Sequence, residues 1–352
     1  MLLLLLLIFI VNGLADELKG DLSLVFKWDP PLLNPTWNIA HSDHCNVTSF
    51  LTIDSLYGRA NNNLMQLTHA LYYSSITNKT LVIPDTYRFI DRHFDLIKAS
   101  QGWACIIPNR KFYNKYIRFN RHEISIEVIS GKELHYKFNQ VVEFNKIRAS
   151  ILSQILMRPK PELKQFVDNF SNSQHLKNGE YVGIHLRLYE KMCQARVRKY
   201  TTDNKWNIRH VKLDMPKARS IVPNDICYMS DDYITACLKH AHLKYNKTDE
   251  TNTNKKIKFF LSHDSQLPER VNAIVSKYNA VVSSSTTKKN HDKSKVSVGV
   301  GSSTEVFADM LLLLRSRYFI GNVVSTLSRN IAAVRLIMLN GDTRYSNLKS
   351  YF

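Results

Sequence analysis

An arginine follows an apolar stretch of the sequence, at the point where a buried strand is expected to end. The stretch runs from Tyr181 to Leu186, contains His185 and is followed directly by Arg187. A partly buried guanidinium needs an anionic partner, and its planar fork of donors fits phosphate oxygens, so Arg187 is a candidate ligand for a diphosphate. The alternative is a structural ion pair with a nearby Asp or Glu.

A second polar group follows another apolar stretch, closer to the C-terminal end. Gly321 and Asn322 come directly after this stretch, and Ser325 and Thr326 open a helical segment. A helix N-terminus offers unpaired N–H groups and the positive end of the helix dipole, and hydroxyls add further donors. The segment is therefore a candidate phosphate site. The alternative is that Ser325 or Thr326 only caps the helix.

A third polar pair, His263 and Asp264, follows a further apolar stretch. Ligands of open parallel sheets bind beyond the carboxyl ends of the strands, so this pair belongs with the first two groups. The sequence contains no Asp-x-Asp, the usual carboxylate site for a metal-bridged sugar nucleotide. We therefore expect donor binding by arginine and backbone dipoles, with no metal. The cluster of His41, His44 and Cys45 has metal-like identities, but closed zinc sites want four ligands, so we interpret it as structural.

The elements that must position these groups alternate between strand and helix, which predicts the α/β class with parallel sheets covered on both faces. In the first half we expect loop to about residue 50, then a helix at Leu64–Ser75, a strand at Thr80–Pro84 and a helical stretch at Phe144–Phe170 broken by prolines. In the second half we expect strands at Tyr181–Leu186, Ile257–Ser262, Ala280–Val282 and Arg317–Gly321, and helices at Asp232–His242, Leu267–Tyr278, Thr304–Arg315 and Ser325–Leu339.

The length of 352 residues predicts two domains, each large enough for its own core. The boundary is expected in the polar stretch between Phe170 and Gly179. This gives an N-terminal domain of residues 16–172 and a C-terminal domain of residues 173–352.

The first residues indicate passage through the secretory pathway. Residues 1–11 are almost entirely Leu, Ile and Phe, and Gly13-Leu14-Ala15 is a small-residue cleavage site. The apolar run is shorter than the about 20 residues of a membrane span, so residues 1–15 are predicted to be a signal peptide, with an uncleaved anchor as the alternative. N-glycosylation sequons at Asn46, Asn78, Asn169 and Asn246 fit a lumenal protein with no membrane span after cleavage.

Cysteine usage and charge add two expectations. In an oxidising compartment most of the 5 cysteines should pair, and an odd number leaves at least one outside any pair within the chain. The formal net charge of +18 would suggest nucleic acid in a cytosolic protein. With the leader we expect no nucleic acid as a partner, and we assign most of the excess to a lysine-rich surface that can still attract a diphosphate or an acidic acceptor.

Several segments, taken together, resemble the GDP-fucose protein O-fucosyltransferase family. They are Gly58–Asn63, Asn78–Pro84, Tyr181–Arg187, Phe260–Asp264 and Phe319–Ser328. The family counterparts are Gly-Arg-Phe-Gly-Asn-Gln, Asn-Arg-Thr-Leu-x-Val-Pro, Gly-(Ile/Val)-His-(Leu/Val)-Arg, an apolar strand ending in Ala-Thr-Asp, and Phe-Ile-Gly-x-x-Val-Ser-(Ser/Thr)-Phe. Order and spacing agree over residues 56–84 and 181–348, whereas residues 85–180 show no match.

The resemblance implies a GT-B architecture, with two facing Rossmann-like domains and GDP-fucose between them, bound mainly by the C-terminal one. It also implies inversion at the fucose carbon and no metal or cofactor. By position, Arg187 would hold the donor phosphates and stabilise the leaving GDP, and Asn62 would lie at the reaction site. The remaining positions carried over as donor-binding are His185, Asp264, Ser325, Thr326, Asn322 and Arg59.

The predicted function is transfer of fucose to Ser or Thr hydroxyls of disulfide-rich secreted domains, either EGF-like or thrombospondin-type repeats, in the endoplasmic reticulum lumen or the Golgi. Two alternatives stay open. One is a fucosyltransferase that acts on a glycan. The other is an inactive secretory-pathway protein of the same fold that binds protein or glycan, because Asn61 stands where the family has glycine.

Overall fold

Strands and helices alternate along the chain and build two parallel four-stranded sheets. The structure is a computed structural model that describes residues 28–29, 45–117, 123–137, 142–187, 193, 195, 207–208, 211–213, 223–245, 257–263, 268–283, 300–339 and 345–350. Asp264, His41, His44 and the sequon at Asn246 lie outside these residues.

The N-terminal sheet has the strand order β3-β2-β1-β4, and its pairings are parallel. Its strands are β1 (Ser49–Ile53), β2 (Thr80–Ile83), β3 (Ile106–Pro108) and β4 (Ser125–Ile129). The first-half helices are α1 (Ala60–Ile76), α2 (Arg88–Asp91), α3 (Leu96–Ser100), α4 (Asn109–Phe112), α5 (Gly131–Lys137), α6 (Val142–Leu156) and α7 (Pro161–Ser173). The predicted helix and strand before Pro84 are confirmed, and α1 starts four residues earlier than expected. The strand β1, which begins at Ser49 where the expected loop ends, was not predicted.

The C-terminal sheet has the order β10-β5-β8-β9, again with parallel pairings. The second-half strands are β5 (Tyr181–Leu186), β6 (Asn207–Ile208), β7 (Val211–Leu213), β8 (Lys258–His263), β9 (Ala280–Val282), β10 (Tyr318–Ile320) and β11 (Leu348–Ser350). The second-half helices are α8 (Pro223–Tyr228), α9 (Asp231–Tyr245), α10 (Pro268–Tyr278), α11 (Val300–Leu314) and α12 (Thr326–Met338). β5 lies between β10 and β8 and is buried along its whole length. Its residues are accordingly apolar, with His185 as the exception.

A third sheet departs from the predicted parallel pattern. β11 pairs antiparallel with β7, which pairs antiparallel with β6. These strands of two or three residues carry no alternation that a sequence could reveal, and their pairing joins segments far apart in the chain. The C-terminal segment is thereby attached to the half of the molecule that contains β5.

The two halves share one apolar core. Phe307 of α11 stacks on Phe89 with ring centroids 6.2 Å apart and meets the edge of Phe94 at 5.0 Å. Next to these rings, His93 Nε2 lies 2.8 Å from Thr304 Oγ1. Buried side chains from both sheets form one cluster, so the two halves pack on each other over a continuous apolar surface.

Two disulfides lie in the described residues, one joining Cys45 to Cys105 and one joining Cys193 to Cys227. Cys237 keeps a thiol, and burial raises its pKa well above the ordinary value. The expectation that one cysteine stays outside a pair within the chain is confirmed. Within the same residues, no helix combines the length and apolarity that crossing a membrane requires.

Candidate functional site

The carboxyl end of β5 carries a neutral histidine inside the protein. His185 is 3% exposed, and its Nδ1 lies 2.7 Å from Ser328 Oγ in the first turn of α12. Burial, and then the positive charges of Arg187 and His263, lower the pKa of His185 to about 3. Its imidazole is therefore uncharged at neutral pH and serves as a polar link between β5 and α12.

Arg187 directly follows β5 and is half-buried. Its backbone carbonyl accepts a hydrogen bond from Asn322 Nδ2 at 3.0 Å. The Asn322 side chain also accepts from the Val324 N–H at 2.9 Å, and the Asn322 N–H donates to Ser328 Oγ at 3.0 Å. Asn322 is fully buried, and its hydrogen bonds connect the backbone of Arg187 with the residues at the start of α12.

The start of α12 bears out the capping interpretation of Ser325. Ser325 is the N-cap, with extended backbone angles, and its hydroxyl accepts from the Ser328 N–H at 3.5 Å. Thr326 is the first helical residue, and its Oγ1 donates to Asn62 Oδ1 at 3.2 Å. Capping leaves the other N–H groups of the first turn and the dipole available to an anion.

The loop between β10 and α12 is held by a residue that the sequence did not single out. Asn347 Oδ1 accepts from the Gly321 N–H at 2.8 Å, and Asn347 Nδ2 donates to the Gly321 carbonyl at 3.0 Å. The same Nδ2 donates to the Tyr233 hydroxyl at 2.8 Å. A side chain at Gly321 would meet Phe319 and Leu348 at 2.7–2.8 Å, which explains the glycine there.

The loop between β1 and α1 is held in the same way. The Tyr57 N–H donates to Gln66 Oε1 at 3.3 Å and to Asn63 Oδ1 at 3.2 Å, and Gln66 Nε2 donates to the Tyr57 carbonyl. The hydroxyl of Tyr87 donates to Gln66 Oε1. Gly58 then turns the chain with a φ of 84°, a conformation that favours glycine.

The N-termini of α1 and α12 meet at a contact that we call the helix junction, formed by Asn61, Asn62, Thr326 and Asn330. Besides the bond between Thr326 and Asn62, Asn330 Nδ2 donates to Asn61 Oδ1 at 3.1 Å. Arg59 is the exposed N-cap of α1, and its side chain caps nothing. The structure thus brings together the predicted residues Arg59, Asn62, His185, Arg187, Asn322, Ser325 and Thr326 around one junction, whereas Asp264 is outside the described residues.

The charge around the junction favours an anionic ligand. Two positive helix-dipole ends meet there, and Arg59 and Arg187 each stand directly before or beside one of them. Guanidinium groups and backbone N–H groups at such a point suit phosphate oxygens. The arrangement can therefore bind a diphosphate and stabilise negative charge that develops on it.

A buried carboxyl group on α11 was not predicted. Asp309 is 6% exposed and accepts hydrogen bonds of 2.8 Å from Ser262 at the end of β8 and from Ser283 just after β9. Burial, together with the nearby negative charge of Glu305, raises the pKa of Asp309 to about 7, although the two serine hydrogen bonds act in the opposite direction. Asp309 ties two strand ends to α11, and a sequence gives no signal for such a pairing.

We searched the described part of the chain for groups of metal-ligating side chains. No three His, Cys, Asp or Glu side chains among those residues are grouped so that they could hold a metal ion. Cys45 is joined to Cys105 in a disulfide, and His41 and His44 lie outside the described residues.

Comparison with solved structures identifies the fold. A crystal structure of POFUT1 in complex with GDP-fucose (crystal form I) matches with a TM-score of 0.51 and 13% identity, covering 87% of this chain and 98% of that one. POFUT1 in complex with GDP matches with a TM-score of 0.48 and 13% identity over 83% and 96% of the two chains. Fucosyltransferase NodZ from Bradyrhizobium matches with a TM-score of 0.44 and 14% identity over 81% and 92%.

The chain has the GT-B fold, so the fold predicted from the resemblance is confirmed. No protein-family model matches the sequence. No curated protein matches it either.

Proposed function

We propose that this protein is an inverting glycosyltransferase that transfers fucose from GDP-fucose to Ser or Thr hydroxyls of secreted protein domains. The observation that carries the proposal is the helix junction, where two helix N-termini meet beside Arg187 in a chain of GT-B fold. The solved structure with the same fold binds GDP-fucose. Three of the segments that resemble protein O-fucosyltransferases, Gly58–Asn63, Tyr181–Arg187 and Phe319–Ser328, contain residues at or next to this junction.

On the donor side, Arg187 and the first turn of α12 receive the diphosphate. In the reaction the bond between the fucose carbon and the diphosphate oxygen breaks, and negative charge grows on the leaving GDP. Arg187 stabilises that charge, and the N-terminus of α12 with Thr326 adds fixed donors. Asn322 holds the backbone of Arg187 and His185 links β5 to α12, while Asp264 and Arg59 are proposed as further donor contacts.

On the acceptor side, Asn62 orients the reacting groups. Its Oδ1 accepts a hydrogen bond from Thr326 Oγ1 across the junction, so its carboxamide lies next to the start of α12. The acceptor hydroxyl attacks the fucose carbon from the face opposite the leaving GDP, and its proton passes to solvent water as the new bond forms. Good alignment of the two reactants is a main source of rate in such a transfer.

The reaction is proposed to need no metal, since arginine and helix dipoles supply the positive charge that a metal would otherwise bring. The sequence without Asp-x-Asp supports this. We expect GDP release to continue at an unchanged rate in excess EDTA. Activity that is abolished by EDTA and restored by manganese would contradict the proposal.

The protein is proposed to work in the lumen of the secretory pathway, in the endoplasmic reticulum or the Golgi. Two disulfides in the described residues fit an oxidising compartment. The leader-like first residues and the exposed sequon asparagines Asn78 and Asn169 support the same location.

The test is GDP release from GDP-fucose by the purified protein, with and without folded EGF-like and thrombospondin-type repeats. Release that is stimulated by one repeat, with fucose found on its Ser or Thr, supports the proposal and names the acceptor class. Binding of GDP-fucose with transfer only to a free glycan would favour a glycan-directed enzyme. Binding of GDP-fucose without any transfer would favour an inactive binding protein. Absence of binding would mean that GDP-fucose is not the donor.

A further inference from the structure

One buried amide at the helix junction lacks a hydrogen-bond partner. Asn61, in the first turn of α1, is 7% exposed, and its Oδ1 accepts from Asn330 Nδ2 at 3.1 Å. Within the described residues its Nδ2 has no hydrogen-bond partner. Folded proteins pair nearly all buried polar groups, so an unpaired buried donor at a ligand site points to a partner that the chain does not supply.

The helix that carries Asn61 also lacks a side-chain cap. The Arg59 side chain makes no capping hydrogen bond, and the first turn contains no acidic residue. In α12, by contrast, the hydroxyl of Ser325 accepts from the first turn. The N–H groups at the start of the 17-residue α1, with its dipole, therefore favour an acceptor of negative charge from outside the chain.

The orientation of the Asn61 amide is set by its neighbour. Asn330 is 2% exposed and donates to Asn61 Oδ1, so the acceptor end of the carboxamide is engaged and the donor end remains for another oxygen. One residue further along α1, Asn62 makes the other contact across the junction with Thr326. Asn61 thus lies between the two helix ends at which the donor is proposed to bind.

We propose that Asn61 Nδ2 donates a hydrogen bond to the donor diphosphate, at the phosphate that carries the sugar. The proposal rests on the proposed function, because it takes GDP-fucose as the ligand. Asn61 belongs to the N-terminal side of the junction, next to Asn62 at the reaction site, whereas Arg187 and α12 hold the diphosphate from the C-terminal side. Because the junction screens Nδ2 from water, the two helix ends must part slightly as the donor enters.

The test compares the affinities of GDP and GMP for the wild-type protein and two variants by calorimetry. Asn61→Leu removes the donor without adding charge. Asn61→Asp keeps an acceptor for Asn330 and places a negative charge at a helix N-terminus, which favours folding. Asn172→Leu, at an exposed position of α7, is the matched control.

We expect Asn61→Leu to bind GDP about 10- to 100-fold more weakly, the effect of losing one hydrogen bond to a charged group, and to bind GMP within about twofold of wild type. Asn61→Asp should bind GDP at least as weakly as Asn61→Leu while its melting temperature stays at or above that of wild type. The control should bind both nucleotides as wild type does.

If both Asn61 variants bound GDP with the affinity of the wild-type protein, the inference would be overturned and the proposed function would still stand. Equal losses for GDP and GMP in Asn61→Leu would also overturn it, since the contact would not be with the sugar-side phosphate. Failure of the wild-type protein to bind GDP or GDP-fucose would remove the proposed function first, and this inference with it.

Discussion

Two loops lead into the helix junction, and in each of them a buried carboxamide binds both backbone groups of one loop residue. On the N-terminal side, Gln66 binds both the N–H and the carbonyl of Tyr57. On the C-terminal side, Asn347 binds both the N–H and the carbonyl of Gly321. A carboxamide has one acceptor and one donor end, so a single side chain satisfies both backbone groups of a loop residue that has left its strand.

The two clamps differ in where the carboxamide comes from. Gln66 is 9 residues from Tyr57 and belongs to α1, the helix that the loop enters. Asn347 is 26 residues from Gly321 and precedes β11, the strand that pairs with β7. The N-terminal loop is therefore held by local structure, whereas the donor-side loop depends on correct attachment of the C-terminal segment. This difference predicts separable effects on acceptor transfer and on donor binding.

The largest effect is expected on the donor side, at Arg187. Arg187→Ala should lower the rate of GDP release on the order of 10²–10³-fold, because the developing charge on GDP loses its main stabilising group. The backbone bond from Asn322 to the carbonyl of residue 187 survives the substitution, so folding should persist. Turnover and melting temperature are measured together, with the exposed Lys177→Ala as control. Unchanged turnover in a folded Arg187→Ala protein would contradict the assigned role.

Removing the distant clamp should affect the donor next most strongly. Asn347→Leu leaves the N–H and carbonyl of Gly321 without partners, so we expect GDP-fucose affinity to fall about 10-fold and the free energy of unfolding to fall by about 2–4 kcal/mol. Calorimetry and chemical denaturation measure the two quantities. Tyr233→Phe removes the bond from Asn347 to Tyr233, together with the bond between Tyr233 and Cys237, but keeps both bonds to Gly321 and should leave donor affinity unchanged. Equal losses of GDP-fucose affinity in the two variants would mean that the hydrogen bonds between Asn347 and Gly321 do not contribute to donor binding.

Removing the local clamp should act mainly on transfer. Gln66→Leu leaves the Tyr57 carbonyl without its Gln66 partner and the Tyr57 N–H bonded to Asn63 alone, so we expect the rate of transfer to an acceptor to fall about fivefold to tenfold while GDP affinity changes by about threefold or less. The control Tyr87→Phe keeps both bonds between Gln66 and Tyr57 and should have a smaller effect. If Gln66→Leu weakened GDP binding as much as Asn347→Leu, the two loops would not be independent.

The smallest effect concerns stability and pH. The pKa of Asp309 is raised to about 7 in the folded protein, so the folded state holds a proton that the unfolded state loses near its ordinary value. The stabilising contribution is complete below that ordinary value and is lost as pH rises toward about 7. Asp309→Asn should therefore gain stability relative to wild type as pH rises from 5 to 7, as measured by denaturation at each pH.

A second variant sharpens this prediction. Glu305→Gln removes the neighbouring charge that raises the pKa of Asp309, so the pH-dependent difference should move to lower pH. The buried histidines His69 and His185, whose pKa values are lowered to about 3, weaken the folded state in acid instead. They are present in both proteins and cancel in the difference. A difference between Asp309→Asn and wild type that does not vary with pH would contradict the buried-proton account.

Much of the fold followed from the sequence because its long elements are strongly patterned. The strands Tyr181–Leu186 and Ala280–Val282 have the same bounds in the structure as in the prediction, since a continuous apolar run with polar flanks marks a buried parallel strand. The predicted helix before Leu339 is confirmed, and its N-cap is the predicted Ser325. The strand β4 was missed, because Ser125 and Glu127 interrupt its apolar residues and leave no continuous apolar run.

The sequence also identified polar groups at strand ends, because such groups stand out against apolar runs. Arg187, His185, Ser325 and Thr326 were found in this way, and the family resemblance added Asn62. Gln66, Asn347 and Asp309 were not found, because an isolated polar residue in a helix or near a chain end gives no sign of its partner.

By itself, then, the sequence determined the α/β class, the central strands and the polar ends that parallel strands bring to one edge. Hydrophobic periodicity is local information, because it can be recognised in a short stretch of sequence without knowing its tertiary contacts. Only the tertiary structure decided that the N-terminal parts of α1 and α12 are in contact, that Asn61 has an unpaired donor there, and that Asn347 binds Gly321. Each of these depends on a few hydrogen bonds between residues that are distant in the chain, and their partners become definite only once the core has packed.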